Sequence, residues 1–113
     1  MNTNTIKTEL KEYIKESIQD LTKYDFQMLD GDLHHYLFNE DYYIIGYFKA
    51  EQWLKKHNIS VFEGISFVQD YERYNFGNDA VRNYDNAETL VNMIVYIIGE
   101  QLIQEEQFHT KFI

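Results

Sequence analysis

Two histidines in the first half of the chain stand close to aspartates. Asp30 lies four residues before His34, and this spacing puts both side chains on one side of a helix. Asp32 lies three residues before His35, with the same effect. Adjacent residues on a helix point about 100° apart, so His34 and His35 cannot readily hold one metal ion together.

A further pair, Glu106 and His109, has the Glu-x-x-His spacing that di-iron helical bundles use. Such a site needs two of these pairs and two more inward-facing carboxylates, and this pair lies near a terminus that we expect to fray. We therefore expect no metal site, and we interpret the histidines as surface or capping residues.

Nucleophilic catalysis has little support in the sequence. The serines are Ser17, Ser60 and Ser66, and Ser60 is better explained as a helix cap. The chain has no Gly-x-Ser-x-Gly elbow, no glycine-rich phosphate loop and no cysteine. We expect a protein that is not an enzyme, has no catalytic residues and uses no cofactor.

Acidic residues are the main chemical feature of the chain, with 19 Asp and Glu against 10 Lys and Arg and a net charge of −9. Residues 25–41 carry five acids and no Lys or Arg, and residues 63–106 carry nine acids against two arginines. This field repels nucleic acid and anionic membranes, and it favours basic partners. Carboxylates spaced along a rigid helical surface can imitate the phosphates of a duplex. The alternative is a solvated polar face that only keeps the protein soluble.

Tyrosines lie among these acids, and buried tyrosines often dominate the binding energy of an interface. We predict partner contacts from the two acidic stretches and their neighbouring tyrosines. The predicted contact residues are Asp25, Asp30, Asp32, Glu40, Asp41, Tyr42, Tyr43, Asp70, Tyr71, Glu72, Tyr74, Asp79, Asp85 and Glu88.

The elements that would position these residues are helices. Apolar residues at helical spacing predict helices over Ile6–Leu21, Gly31–Phe38, Tyr42–His57, Ser60–Tyr74 and Asn86–Phe108. Thr5 is the expected first cap, Thr22–Asp30 is expected to be irregular, and Asn39–Asp41 is expected to break the chain between helices.

Three details complete the prediction of the second half. Ser60 with Glu63 matches a capping box, as does Asp85 with Glu88, and Gly77 is the expected left-handed stop after the fourth helix. The last helix has little polar face before Gly99, so it should be buried on most sides. A strand over the β-branched run 91–98 is the competing interpretation, but length and the cap favour helix.

The fold class expected is all-α, a compact bundle of four or five helices with a largely buried C-terminal helix. Residues 1–113 should form a single domain, with residues 1–22 as an amphipathic and peripheral N-terminal helix. The chain has no run of 18 apolar residues, no signal pattern and no cysteine, so we expect a protein of the host cell cytoplasm.

Several segments resemble small uncharacterised proteins of bacteriophages: Asp32-Leu33-His34, the run from Asn39 to Tyr47, Asn75-Phe76-Gly77, Val91-Asn92-Met93 and Tyr96-Ile97-Ile98-Gly99-Glu100. A looser resemblance is to the Ocr-type antirestriction proteins of phages, through size, acidity, Asp32-Leu33-His34 and a later Tyr-Tyr pair. That resemblance implies an acidic helical dimer that mimics bent DNA and blocks restriction enzymes.

These observations predict a phage- or plasmid-type inhibitor of a host defence enzyme, of the restriction or CRISPR type. It would bind the enzyme's basic nucleic-acid-binding surface through an acidic, tyrosine-rich face, and would not bind nucleic acid or membrane itself. The alternative is a structural or assembly adaptor of a phage that acts through apolar contacts. A homodimer is expected in either case, because symmetric pairs are the commonest oligomers and the aromatic surplus exceeds what one small core needs.

Overall fold

The computed structural model describes residues 1–30, 32–38 and 45–108, and helices are the regular structure found there. The predicted all-α class is confirmed. The helices are α1 (Asn4–Ile18), α2 (Lys23–Met28), α3 (Leu33–Phe38), α4 (Tyr47–Lys56), α5 (Val61–Phe76) and α6 (Ala87–Glu106), with a 3₁₀ turn (Asn78–Ala80) between the last two. Among the described residues, no helix combines the length and the apolar character needed to cross a membrane.

The last helix, α6, is the centre of the bundle, and α1, α3, α4 and α5 all pack against it. This confirms the predicted buried C-terminal helix. Its cap is Asn86, whose Oδ1 accepts from the backbone N–H groups of Glu88 at 2.8 Å and Thr89 at 3.3 Å. The expected capping box with Asp85 as its first residue is therefore wrong by one position. The buried residues of α6 are Leu90, Val91, Ile94, Val95, Ile97, Ile98, Gly99, Leu102 and Ile103.

The first helix places its whole apolar stripe in the core. Its side chains at positions 6, 10, 14 and 18 are all buried, and each contributes roughly 1.5–3 kcal/mol by leaving water. The expected cap is wrong, because Thr3 occupies the N-cap position without a side-chain hydrogen bond. Thr5 lies inside the helix, and its hydroxyl contacts His57 on α4.

A second helix, α2, occupies part of the segment that was expected to be irregular. Its N-terminus is a reciprocal capping box, in which Thr22 accepts from the backbone of Asp25 and Asp25 accepts from the backbone of Thr22. Six residues are too few to show a helical apolar period, so the Thr-x-x-Asp cap was the available sequence signal.

The fourth helix begins at Tyr47, whereas the sequence predicted a start at Tyr42. Gly46 is its N-cap in an extended conformation, so it lies outside the helix interior. The predicted break at 39–41 and the residues 42–44 lie outside the described residues. The buried residues of α4 are Ala50, Trp53 and Leu54.

Two large apolar side chains at the start of α4 and α5 do not reach the core. Phe48 is 79% exposed and Phe62 is 81% exposed, and the neighbouring Tyr47 and Val61 are also exposed. Both helices therefore begin with apolar side chains that lie outside the core. Single exposed apolar residues are common, but adjacent ones at a helix start leave apolar surface for a partner.

The fifth helix begins at the predicted cap, where Ser60 accepts from the backbone N–H of Glu63 at 3.1 Å. It ends at Phe76, and Gly77 follows with φ +91°, a backbone conformation that glycine adopts readily. The predicted stop at Gly77 is confirmed, since the helix ends there and the φ angle of Gly77 is positive.

Helices α5 and α6 run in the same general direction. A Cβ built on Gly64 would lie 3.2 Å from Ile94, whereas seven residues later the Tyr71 hydroxyl reaches Glu100 at 2.8 Å. Positions that advance along α5 therefore meet positions that advance along α6. The intervening crossover segment (residues 77–86) must return along α5 before α6 can begin.

Candidate partner-binding surface

The crossover segment is anchored to α5 by a buried carboxylate. Glu72 is only 1% exposed. Its Oε2 accepts from Arg82 Nε at 2.6 Å and from the Tyr84 hydroxyl at 3.0 Å, and its Oε1 accepts from the Arg82 backbone N–H at 3.3 Å. Glu72 was predicted to contact a partner, and this is corrected here: its oxygens face the chain's own residues.

Burial and hydrogen bonds to Glu72 shift the pKa values of the two donors in this cluster. Burial, with the hydrogen bond to Glu72, raises the pKa of Tyr84 to about 12. The same carboxylate raises the pKa of Arg82 through its hydrogen bond. The guanidinium therefore stays charged and the phenol stays protonated at physiological pH, so both groups donate to Glu72.

The returning segment carries a row of acids along α5. Asp79 lies in the 3₁₀ turn, Asp85 immediately precedes the cap of α6, and Glu88 lies in the first turn of α6. The first two are exposed and Glu88 is half-buried. Because the segment returns from the end of α5 to the level of Gly64, this row covers about 18 Å at 1.5 Å per helical residue.

The outer face of α5 adds a paired carboxylate and an aromatic side chain. Asp70 forms a salt bridge with Arg73 at 2.9 Å, so part of its charge is already balanced. Tyr74, four residues after Asp70, is 90% exposed. Asp70 is exposed as well, so both side chains are accessible to a partner, and its exposed pair with Arg73 contributes little to stability.

Tyr96 and Glu100 form a polar stripe on α6, which we call the α6 stripe. It connects Tyr71 on α5 with Asp32, the residue before α3. The Tyr71 hydroxyl donates to Glu100 Oε2 at 2.8 Å, and burial together with Glu100 raises the pKa of Tyr71 to about 12. The pKa of Tyr96 is raised by burial, by Glu100 and by Asp32, which precedes α3. Tyr96 is therefore within electrostatic reach of carboxylates from two elements.

His34 supports this stripe from α3. Its Nε2 lies 2.8 Å from the carbonyl oxygen of Tyr96, and because a carbonyl only accepts, Nε2 carries the proton. The two rings are 4.0 Å apart. This explains His34 as a packing residue between α3 and α6.

Sequence reasoning missed Tyr96 and Glu100 as parts of this surface. It also missed the packing of His34 against α6. Tyr96 and Glu100 lie four residues apart on α6, and this i, i+4 polar spacing inside an apolar run was the available signal. The contact between α3 and α6 spans 62 residues of sequence, so no local pattern could have revealed it.

The remaining predicted contact residues fall into two groups. Asp25 is used in the cap of α2, and hydrogen bonds from the backbone and hydroxyl of Thr22 lower its pKa. Asp30 is exposed, with a left-handed φ of 57°. The predicted contacts Glu40, Asp41, Tyr42 and Tyr43 lie outside the described residues.

Where α1 meets the end of α6, two acids are matched by lysines. Lys7 pairs with Glu105 at 3.0 Å and Lys11 pairs with Glu106 at 3.4 Å, joining α1 to the end of α6. Within the described ranges, no ion pair involves the carboxylates at 79, 85, 88 and 100. These four carboxylates are therefore less compensated than the two acids at the end of α6.

We name this surface the acidic band. It consists of the carboxylates and tyrosines that α5, the crossover segment and α6 bring together, with one residue from before α3: Asp32, Asp70, Tyr71, Tyr74, Asp79, Asp85, Glu88, Tyr96 and Glu100. In the part of the chain that the structure describes, no group of three or more His, Asp or Glu side chains is arranged to hold a metal ion.

Comparison of the chain with known protein families, with curated proteins and with solved structures finds no match.

Proposed function

We propose that this chain acts by binding the basic, nucleic-acid-binding surface of another protein through the acidic band. The partner class is a host defence nuclease, of the restriction or CRISPR type, and the chain is its stoichiometric inhibitor. In this proposal the chain catalyses no reaction, and its origin is a phage or a plasmid.

One observation carries the proposal: within the described residues, the carboxylates that the crossover segment and α6 contribute to the acidic band form no ion pair. The two cations there are the arginines at 73 and 82, and each is paired with an acid of its own helix or cluster. The row from Asp79 to Glu88 spreads three carboxylates over about 18 Å. A groove built to bind phosphates along a strand can accept carboxylates at such intervals.

Tyrosines within the acidic band supply contact area that charge alone does not. Tyr74 is almost fully exposed, and Tyr71 and Tyr96 are half-buried. Because a tyrosine presents an apolar ring and a hydroxyl at a small cost in side-chain entropy, it suits the centre of an interface. The carboxylates would therefore hold the partner at the rim of the interface, and the tyrosine rings would hold it at the centre.

The experiment is a DNA-cleavage assay with a panel of purified restriction and CRISPR nucleases. The chain is added from below to above equimolar amounts, at about 50 mM and about 200 mM salt. Inhibition should be complete near one chain per binding site and should weaken at the higher salt, because salt screens exposed charges. If none of the nucleases is inhibited at either salt concentration, the proposal is overturned.

A matched pair of triple variants assigns inhibition to the acidic band. The test variant is Asp79→Asn, Asp85→Asn and Glu88→Gln. The control removes the same charge from α1 and the turn that follows it, with Glu12→Gln, Glu16→Gln and Asp20→Asn, all exposed positions. The test variant should bind on the order of tenfold more weakly and the control should bind as the parent does. An equal loss in both would mean that net charge, and not this surface, governs binding.

A second function is favoured by a different observation, the apolar surface at the start of α5. Phe62 borders a shallow groove of about 320 Å³ that Met1, Glu63, Ser66, Phe67 and Asp70 also line. An adaptor that assembles through apolar contacts would use this surface and would be insensitive to salt. Light scattering at low and high salt separates the two: salt-independent self-association that Phe62→Ser abolishes supports the adaptor.

A further inference from the structure

A buried histidine joins the end of α4 to the start of α1. His57 is the residue that follows α4, and its side chain is only 2% exposed. Its Nδ1 lies 2.9 Å from the Thr5 hydroxyl, and its ring lies 4.5 Å from the ring of Trp53. The ring therefore fills the space between two helices that are far apart in sequence.

The other ring nitrogen of His57 has no hydrogen bond. Nε2 is fully buried, and the nearest acid, Glu9 Oε2, lies at 3.3 Å without hydrogen-bond geometry. An unmade hydrogen bond at a buried polar atom is costly, and such atoms are rare in folded proteins. The ring is therefore held by packing and by its contact with Thr5, and no well-aligned acceptor binds a proton on Nε2.

The acid that faces His57 is already committed to other donors. Lys56 donates to Glu9 Oε2 at 2.8 Å, and Trp53 Nε1 donates to Glu9 Oε1 at 3.3 Å. An imidazolium at position 57 would have to share Oε2 with the ammonium of Lys56. Two cations on one oxygen repel each other, so Glu9 compensates only part of a new buried charge.

We propose that His57 is a pH-sensitive latch, which holds the start of α1 against α4 while its ring is neutral and loosens that contact when the ring takes up a proton. The charged groups that act on it are Glu9 from α1 and Lys56 from α4. The carboxylate and the C-terminal end of α4 favour the charged ring, whereas burial and Lys56 oppose it. The almost complete burial of the ring decides the balance.

The direction of the effect follows from the pKa. Burial lowers the pKa of His57 below its usual 6.5, Glu9 partly restores it, and Lys56 lowers it further. A lowered pKa means that the folded state binds the proton less readily than the unfolded chain does. The stabilising effect of the neutral ring is therefore complete above pH 6.5, and it is lost as the pH falls from 6.5 towards the lower, folded-state pKa.

Protonation of the His57 ring also reverses the direction of its hydrogen bond with the Thr5 hydroxyl. When Nε2 carries the proton of the neutral ring, Nδ1 accepts from the Thr5 hydroxyl. In the charged ring both nitrogens donate, so the hydroxyl must turn to accept and must find another acceptor for its own proton. Thr5 lies in the first turn of α1, and this turn is where the loosening should begin.

The single tryptophan of the chain provides a local readout, because Trp53 contacts the ring of His57 and an imidazolium quenches indole fluorescence. In a titration from about pH 8 to about pH 5, Trp53 emission should fall with a midpoint below 6.5. His57→Gln should abolish this transition, and His35→Gln, at an exposed position, should leave it intact.

Urea unfolding at about pH 7.5 and about pH 5.5 tests the latch itself. The unfolding equilibrium constant of the parent should rise several-fold at the lower pH, and that of His57→Gln should rise less. If His57→Gln does not fold, Glu9→Gln replaces it, and its fluorescence midpoint should move to lower pH. A parent midpoint at or above 6.5, or greater stability at the lower pH that depends on His57, would overturn the proposal.

Discussion

Glu72 and Tyr84 are joined by a hydrogen bond of 3.0 Å between a buried carboxylate and a buried phenol. The bond links α5 to the crossover segment, at a point where the chain has no helical hydrogen bonds of its own. The path of the crossover segment, which carries Asp79 and Asp85 of the acidic band, is therefore fixed in part by a contact between two side chains twelve residues apart.

This contact predicts a graded loss of stability. Tyr84→Phe removes one hydrogen bond to a charged group and should lower the free energy of unfolding by about 1.5–3 kcal/mol. Glu72→Gln should cost at least as much, since it weakens the bonds from both Arg82 and Tyr84. Urea denaturation measures both variants. Tyr74→Phe is the exposed control, and equal stabilities for Tyr84→Phe and this control would refute the assignment.

Alkaline pH should unfold the protein through its buried tyrosines. The folded-state pKa values of Tyr71 and Tyr84 are raised to about 12 from the ordinary 10.0, so their contribution to stability is fully present below pH 10.0 and is lost as the pH rises towards 12. Urea midpoints at about pH 9 and about pH 11 should differ more for the parent than for the double variant Tyr71→Phe, Tyr84→Phe. An identical difference in the two proteins would contradict this account.

Gly99 should tolerate no side chain. A Cβ at this position would lie 2.5–2.9 Å from ring atoms of Phe38, which is itself buried between α3 and α6. Gly99→Ala should therefore lower the free energy of unfolding by about 1–3 kcal/mol, the usual cost of overpacking a core. Gly46→Ser is the matched control: Gly46 has open space for a Cβ, and serine is a good helix cap. Thermal unfolding that shows equal losses for both would reject the prediction.

The exposed Phe62 should matter for association and not for stability. Because it is largely exposed, Phe62→Ser should change the free energy of unfolding by no more than about 0.5 kcal/mol. Val68→Ala, in the buried row of the same helix, should cost clearly more by leaving a cavity. Urea denaturation compares the two, and a large loss in Phe62→Ser would mean that its ring packs within the fold.

The sequence predicted the helices that have a long apolar period, and it missed α2 in spite of its capping box. The β-branched run of α6 was correctly assigned as helix because its length and its polar N-terminus outweighed local propensity. The short α2 was missed, and α4 was predicted to start before Tyr47 because apolar residues precede Gly46. No periodic pattern distinguishes a helix start from an apolar segment that leads into it.

The error at Glu72 has a different cause. Glu72 lies four residues after Val68, on the buried row of α5, but a carboxylate is normally assigned to the surface. Its burial depends on Arg82 and Tyr84, which come from a segment without periodicity. Likewise, the link between Asp32 and the α6 stripe arises from packing between distant parts of the chain. The acidic character was therefore visible in the sequence, whereas the shape of the acidic band was not.

The shared direction of α5 and α6 has a consequence for how the molecule assembles. Two antiparallel helices can close from their connecting turn, each contact bringing the next pair of residues together. Here the crossover segment must first run back along most of α5. Contacts between α5 and α6 therefore begin only after a longer loop has closed. We expect the water around the Glu72 carboxylate to be expelled at that step, which makes the arrival of Arg82 and Tyr84 a late event in folding.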